Sequence, residues 1–192
     1  MQTSQRGNVL KSTNAIYSII ENDYTSRMMH PIPDTTVVER ERWIADRVKG
    51  KRVLDIGASG NLSEIVKEVA DQVSVNRTNA DYCIDVEKEE LPNDDFNYVL
   101  CGEILEHLSN PGIFLDKLHQ YLCPIIITVP NAFGNNRGRV GIENVNREHV
   151  AYYSYYTLLT LIERHGFRLL EWHWYKGKPY TAEGIIFVIG RT

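Results

Sequence analysis

Two long apolar runs, "FRLLEWHWY" (167–175) and "GIIFVIG" (184–190), are separated only by "KGKPYTAE", a polar stretch too short for a helix. Strands joined so briefly run antiparallel, because a parallel return needs a crossover of roughly a dozen residues or more. The chain before them alternates differently. Apolar stretches at 52–56, 72–76, 82–85, 96–101 and 125–129 read as strands, and amphipathic ones at about 62–70, 111–122 and 154–165 read as helices. This alternation predicts an α/β fold, a mostly parallel sheet with helices on both faces, closed by an antiparallel C-terminal hairpin. Upstream, Ile16, Ile19 and Ile20 stand at helical spacing. "HPIPD" (30–34) then interrupts with two prolines, and Asp34 is a candidate cap for a helix through 35–50 that stops at Gly50.

At 192 residues the chain has the length of one domain with a sizeable core. Its longest apolar runs, such as "IIITV" and "IIFVI", are far shorter than the ~20 residues of a membrane-spanning helix. The first residues hold no apolar stretch of signal-peptide length, so a cytoplasmic protein is expected. Cys83, Cys101 and Cys123 lie in or beside strand-like segments without CxxC spacing and read as buried, reduced thiols. A net charge of −4 argues against a general nucleic-acid binder.

The stretch "LDIGASGNLSE" (54–64) carries a strand into two glycines and on into a helix, the form of a loop that cradles a ligand. No Lys-Ser or Lys-Thr follows Gly60, which excludes a nucleotide-phosphate loop, and the spacing of a dinucleotide fingerprint is not met. Asp55 at the strand end would repel a pyrophosphate but accept from an amino group, while Gly57 and Gly60 permit positive φ and close backbone approach. A zwitterionic, sulfonium-bearing ligand suits such a loop. The alternative is a tight strand-to-helix turn with no ligand.

"VLDIGASG" (53–60) resembles the first motif of the class I S-adenosylmethionine-dependent methyltransferases, and the resemblance continues in order. "IDVEKEELPNDDFNYVLCGEILEHLSNP" (84–111) is similar to that family's third and fourth strands with their connectors. "IIITVPN" (125–131) resembles its fifth strand, and "NREHVAYYSYYTLLTLIERHGF" (146–167) its late helix. The resemblance spans about 50–190 and implies a Rossmann-like, seven-stranded sheet whose last strand is antiparallel. It implies residues 1–49 as a helical lid, with Tyr17, Tyr24, Met28, Met29 and His30 over the pocket, and 50–192 as one methyltransferase domain. It also implies S-adenosylmethionine as cofactor. Asp55, Gly57, Ala58 and Gly60 would surround its amino-acid end, Asp85 and Val86 its adenine, and Cys101, Gly102 and Glu103 its sulfonium. Where the family has an acidic residue for the ribose hydroxyls, this chain has Asn76, whose amide can accept one hydroxyl and donate to the other. On that basis an Asn76→Asp variant is expected to bind the cofactor at least as well.

"EILEHL" (103–108) places Glu103, Glu106 and His107 at i, i+3 and i+4, which predicts one face of a helical turn, and "REHV" adds His149. The pattern resembles two metal-dependent branches of the superfamily, the quinone-biosynthesis O-methyltransferases and the small-RNA 3′-end 2′-O-methyltransferases. A divalent metal held by Glu103, Glu106, His107 and His149 is one reading. In the other there is no metal, Glu103 belongs to the cofactor pocket, and His107 or His149, with Glu106 beside them, serves as general base. The loop "NAFGNNRGRVGIENVN" (131–146) supplies Arg137 and Arg139, with Arg147 following, for an anionic group on the acceptor or as solvated charge. Tyr153 and Tyr155 with their neighbours Tyr152 and Tyr156 read as helix-packing residues, and Trp43 and Trp172 as core. The expected activity is O-methylation of a small molecule or glycan precursor. The alternatives are a metal-assisted RNA 2′-O-methyltransferase and a non-catalytic cofactor-binding partner module.

Overall fold

The computed structural model describes residues 36–132, 148–176 and 183–192. The lid residues Tyr17, Tyr24, Met28, Met29 and His30, the cap Asp34, and Arg137, Arg139 and Arg147 lie outside them. The strands are β1 (Val37–Val38), β2 (Arg52–Ile56), β3 (Asp71–Asn76), β4 (Tyr82–Cys83), β5 (Tyr98–Gly102), β6 (Ile125–Pro130), β7 (Phe167–Tyr175) and β8 (Gly184–Arg191). They form one sheet in the order β1-β7-β8-β6-β5-β2-β3-β4. All neighbours pair in parallel except β8, which runs antiparallel to both β6 and β7.

The sheet therefore has eight strands where seven are expected. The additional one is Val37–Val38, which pairs in parallel with Trp174 and Tyr175. Two adjacent β-branched residues at the foot of the expected 35–50 helix favour extended backbone, so α1 (Arg40–Val48) starts later, with Glu39 as its N-cap. Three further helices follow: α2 (Gly60–Val69), α3 (Pro111–Lys117) and α4 (Tyr155–Arg164). Their ends obey local chemistry. Asn110 accepts from the Ile113 N–H with Pro111 at the first turn of α3, and Ser154 and Thr157 form a reciprocal capping box on α4. The last part of the expected 111–122 helix tightens into a 3₁₀ turn, Leu118–Gln120. No helix joins β3 to β4, as the short connection requires.

Alternation along the strands divides the core between two faces. On one, Val53, Leu100, Ile126, Ile186 and Val188 pack with Ile44 and Val48 of α1 and Leu62 and Val66 of α2. On the other, Phe187 meets Tyr155 of α4 at 5.4 Å between rings. Helix α1 is further tied to β7 by two hydrogen bonds from Arg47 to Glu171 Oε2. The segment 36–48, assigned to the lid by sequence, thus shares the sheet's own core and its compact unit. Two other assignments change. Cys101 is buried but Cys83 is exposed on the edge strand and Cys123 is half-buried, all three free. Trp174 is 2% exposed, whereas Trp43 and Trp172 are only half-buried.

Leu100 is fully buried at the centre of the first face. Leu100→Ala should lower unfolding free energy by about 3 kcal/mol in chemical denaturation, through lost burial and an unfilled cavity.

Candidate functional site

The strand order reverses at β2, which has β5 on one side and β3 on the other, and ligands bind such sheets in the crevice beyond the carboxyl ends at that point. Past Ile56 the chain turns through Gly57, with φ +84°, to Gly60, with φ +63°. The N–H groups of Gly57 and Ala58 both donate to Val75 O of β3, at 2.8 and 3.2 Å. A Cβ at position 57 would stand 3.1 Å from Ile104 Cβ, so the tight approach of the two loops needs glycine there. Ser59 precedes α2 without capping it by its side chain, which leaves the positive end of that helix facing the crevice.

Two cavities meet here. One, of about 240 Å³, is lined by residues including Asn76, Ile84, Val86, Ile104 and Leu108. The other, of about 290 Å³, is lined by residues including Arg40, Asp55, Gly60, Ser63 and Gly102. Gly57, Ser59, Glu103 and His107 line both.

The expected cofactor residues are gathered at this crevice in unequal roles. Asp55 is 3% exposed and accepts from Gln72 Nε2 at 2.6 Å; burial raises its carboxyl above the usual range. Val86 lines the first cavity, but the Asp85 carboxylate turns toward Lys88, at 3.0 Å, and Arg77, at 3.6 Å. The hydrogen bond from Lys88 holds Asp85 below the ordinary carboxylate range. Cys101 is fully buried, and burial pushes its thiol up. Asn76 does something the sequence did not disclose. Its Nδ2 donates to Ala58 O at 2.8 Å, and its Oδ1 accepts from the Arg77 N–H at 2.7 Å. The amide fastens the glycine turn, and an aspartate could not supply the first bond.

The "EILEHL" stretch is not one helical face. Glu103 has φ +50°, a left-handed conformation rare for a non-glycine residue and concentrated at functional sites. Only Leu105–His107 form a 3₁₀ turn. The Glu103 backbone N–H is anchored on Thr128 O at 2.9 Å. Its carboxylate pairs with Arg40 at 2.5 Å and accepts from the Tyr175 hydroxyl at 2.7 Å. Glu103 is thereby separated from the other three expected metal ligands.

Glu106, His107 and His149 do come together, each offering a ligand atom within 4.8 Å of the others. His149 reaches this place because the N–H groups of Val150 and Ala151 donate to Glu106 O at 2.8 and 3.2 Å. Asn131 also bridges to Tyr153 beside β6. The imidazoles meet edge to face at 4.7 Å. Glu148 O lies 3.1 Å from His107 Nδ1; a carbonyl only accepts, so Nδ1 is the donor. Burial, and then the neighbouring His107, holds His149 below its ordinary value. Glu106 is 1% exposed, and neither carboxyl oxygen has a hydrogen-bond partner among the described residues. Burial pushes it up to about 8. A buried, orphaned carboxyl beside two imidazoles fits a divalent cation, which would satisfy those oxygens.

Sequence reasoning missed Arg40, Tyr175, Ile84 and Ser63 in this crevice. Arg40 and Tyr175 belong to elements distant in the chain, and no local pattern marks them. The polar start of α2, "SGNLS", was a readable sign for Ser63.

The parallel sheet with its switch-point crevice, glycine turn and antiparallel last pair defines the class I methyltransferase architecture. Residues 36–171 match the profile of a family described as "Methyltransferase domain". The chain belongs to that family, and is an S-adenosylmethionine-dependent methyltransferase of the class I fold. Its fold is similar to a SAM-dependent methyltransferase from Archaeoglobus fulgidus (TM-score 0.62, 17% identity, covering 80% of this chain and 91% of that one). It is also similar to the 1,6-didemethyltoxoflavin-N1-methyltransferase of Burkholderia thailandensis (TM-score 0.60, 12% identity, covering 100% of this chain and 92% of that one). A third similar structure is the small RNA methyltransferase HEN1 (TM-score 0.62, 13% identity, covering 83% of this chain and 27% of that one). No curated protein matches the sequence. The crevice fits the cofactor of the class: apolar Ile84 and Val86 border one cavity, while the other offers carboxylates for an ammonium and the uncapped start of α2 for a carboxylate.

Two outcomes follow from these contacts. Asn76→Asp should weaken S-adenosylmethionine binding about tenfold in calorimetry, the reverse of the sequence expectation, because a carboxylate would face Ala58 O. In chelator-treated protein, Glu106 keeps its proton to about pH 8 when folded but loses it near 4.5 when unfolded. Its burial therefore carries no ionisation penalty below pH 4.5, and that penalty grows as pH rises to 8, to a few kcal/mol. Denaturation of Glu106→Gln should show little difference from wild type at pH 4.5 and a gain in stability at pH 8.5.

Proposed function

We propose that the chain transfers the methyl group of S-adenosylmethionine to an oxygen of a small molecule or glycan precursor in the cytoplasm. The observation that carries this reading is the Glu106, His107 and His149 cluster at the mouth of the cofactor crevice. An amine or thiolate acceptor is nucleophilic without help, but a hydroxyl needs its proton taken or its pKa lowered, and this cluster suits either task. His149, held neutral, takes the hydroxyl proton onto a ring nitrogen as the oxygen bonds to the methyl carbon. The carbon–sulfur bond breaks, and its electron pair stays on sulfur. His107 is oriented through Nδ1 by Glu148 O and lies in the same cluster. With both histidines, Glu106 would hold a divalent cation in place of its proton. That cation would supply Lewis-acid chemistry, lowering the pKa of the acceptor hydroxyl. Glu103 is not part of the ligand set in this reading, because Arg40 and Tyr175 already hold it.

The similar Burkholderia enzyme, an N1-methyltransferase with 1,6-didemethyltoxoflavin bound, supports a small-molecule acceptor, as does the net charge of −4. The likeness to the small RNA enzyme keeps an RNA 2′-hydroxyl as the competing acceptor. Calorimetry with S-adenosylmethionine, followed by turnover assays with hydroxyl-bearing small molecules and with RNA 3′ ends, tests the reading. His149→Ala should retain cofactor binding and lose turnover at least a hundredfold, and elemental analysis of it should show less bound metal than wild type. Undiminished turnover in that variant, or methylation of RNA alone, would overturn the small-molecule O-methylation reading. Cofactor binding with no turnover of any acceptor would favour a partner module.

A further inference from the structure

Three carboxyl groups border the cavity beneath the glycine turn, and the fold treats them differently. Asp55 is almost sealed, and Gln72 donates to it; Glu106 is buried without a partner; burial raises both. Glu103 is instead ion-paired and partly exposed. Its Oε1 faces the Arg40 guanidinium and accepts from Tyr175, while no described residue donates to Oε2. Its side chain is 40% exposed, at the meeting of the two cavities.

Both supports are themselves built in. Arg40 is clamped by Glu41 at 2.7 Å and lies over the Tyr175 ring at 5.1 Å. The Tyr175 ring crosses its strand partner Gly184, where any Cβ would fall 2.0 Å from the hydroxyl oxygen, so only glycine admits this rotamer. Tyr175 is 3% exposed, and burial together with Glu103 pushes its phenol up, which keeps it a donor.

We infer that Arg40 and Tyr175 are positioning residues that hold Glu103 so that its free oxygen receives the ammonium of the cofactor's amino-acid arm. The inference rests on the cofactor reading above and assigns residues within it. An ammonium offers N–H donors to Oε2, which a sulfonium lacks. It also keeps its charge through methyl transfer, so binding it does not favour the ground state over the transition state. Anchoring Oε1 twice leaves the carboxylate little freedom to lose on binding.

S-adenosylhomocysteine and 5′-methylthioadenosine share the thioether nucleoside and differ in the amino-acid arm, so titrating both separates this role from a structural one. Glu103→Gln should weaken S-adenosylhomocysteine at least tenfold, and Tyr175→Phe roughly three- to tenfold, with methylthioadenosine within about twofold of wild type in each. The double variant should bind S-adenosylhomocysteine no more weakly than Glu103→Gln alone, because Tyr175 acts through Glu103. Equal weakening of both ligands by Tyr175→Phe would mean a structural role and overturn the inference. Unchanged binding of both, or additive losses in the double variant, would overturn it too. Wild-type protein that binds neither ligand would overturn the cofactor reading itself, a distinguishable failure.

Discussion

β2 is hydrogen-bonded in parallel on both flanks, and the pairing stops at the same level on each: Ile56 is in register with Val75 of β3 and with Cys101 of β5. Beyond that level β2 and β5 no longer pair with each other, though Gly102 still pairs with Thr128 of β6. Both backbones must leave the sheet, one into α2 and the other into the turn containing Glu106. The crevice is the gap left by that divergence. Val75 O, taking two N–H groups from the departing chain, sets its width, and Asn76 pins its lip through Ala58.

Within the gap, chemistry is sorted by burial. Asp55, Glu103 and Glu106 are the same kind of group, yet one is sealed, one ion-paired and one orphaned. Placing like groups in different surroundings is how a site assigns separate tasks to them. Here Glu103 suits a persistent positive charge, while Glu106 suits a proton or a metal beside two imidazoles. The two residues are only three apart in sequence, but the left-handed backbone at Glu103 aims them differently.

Most of the architecture was legible because it is written in local periodicity. The parallel strands, the helix after "DIGASG" and the antiparallel pair around "KGKPYTAE" each follow from pattern over a few residues. The missed strand was only Val37–Val38, too short to show a period, and it exists through its pairing with Trp174 and Tyr175. The site was legible where a motif carries it and illegible where contacts cross the fold. His107 is hydrogen-bonded to Glu148 O, 41 residues away and beside His149, and Arg40 meets Glu103 from an element whose spacing says nothing about charge. The exchange of an acidic residue for Asn76 was visible. Its use was not, since the partner, Ala58 O, is a backbone atom that no substitution pattern marks.

The sheet order has a consequence for synthesis on the ribosome. β8 follows every other described strand in the chain, yet it lies between β6 and β7. Until Gly184–Arg191 emerges, β6 is open along the edge where six residue pairs will form, and β7 has no partner on that flank. Nascent chains stalled before this point would present the run "IIITV" as an unpaired template for other strands. Such high contact order slows folding. Tyr175 also reaches its place across Gly184 only when this last insertion is made, so the hydroxyl bond to Glu103 is among the latest contacts a newly made molecule can acquire.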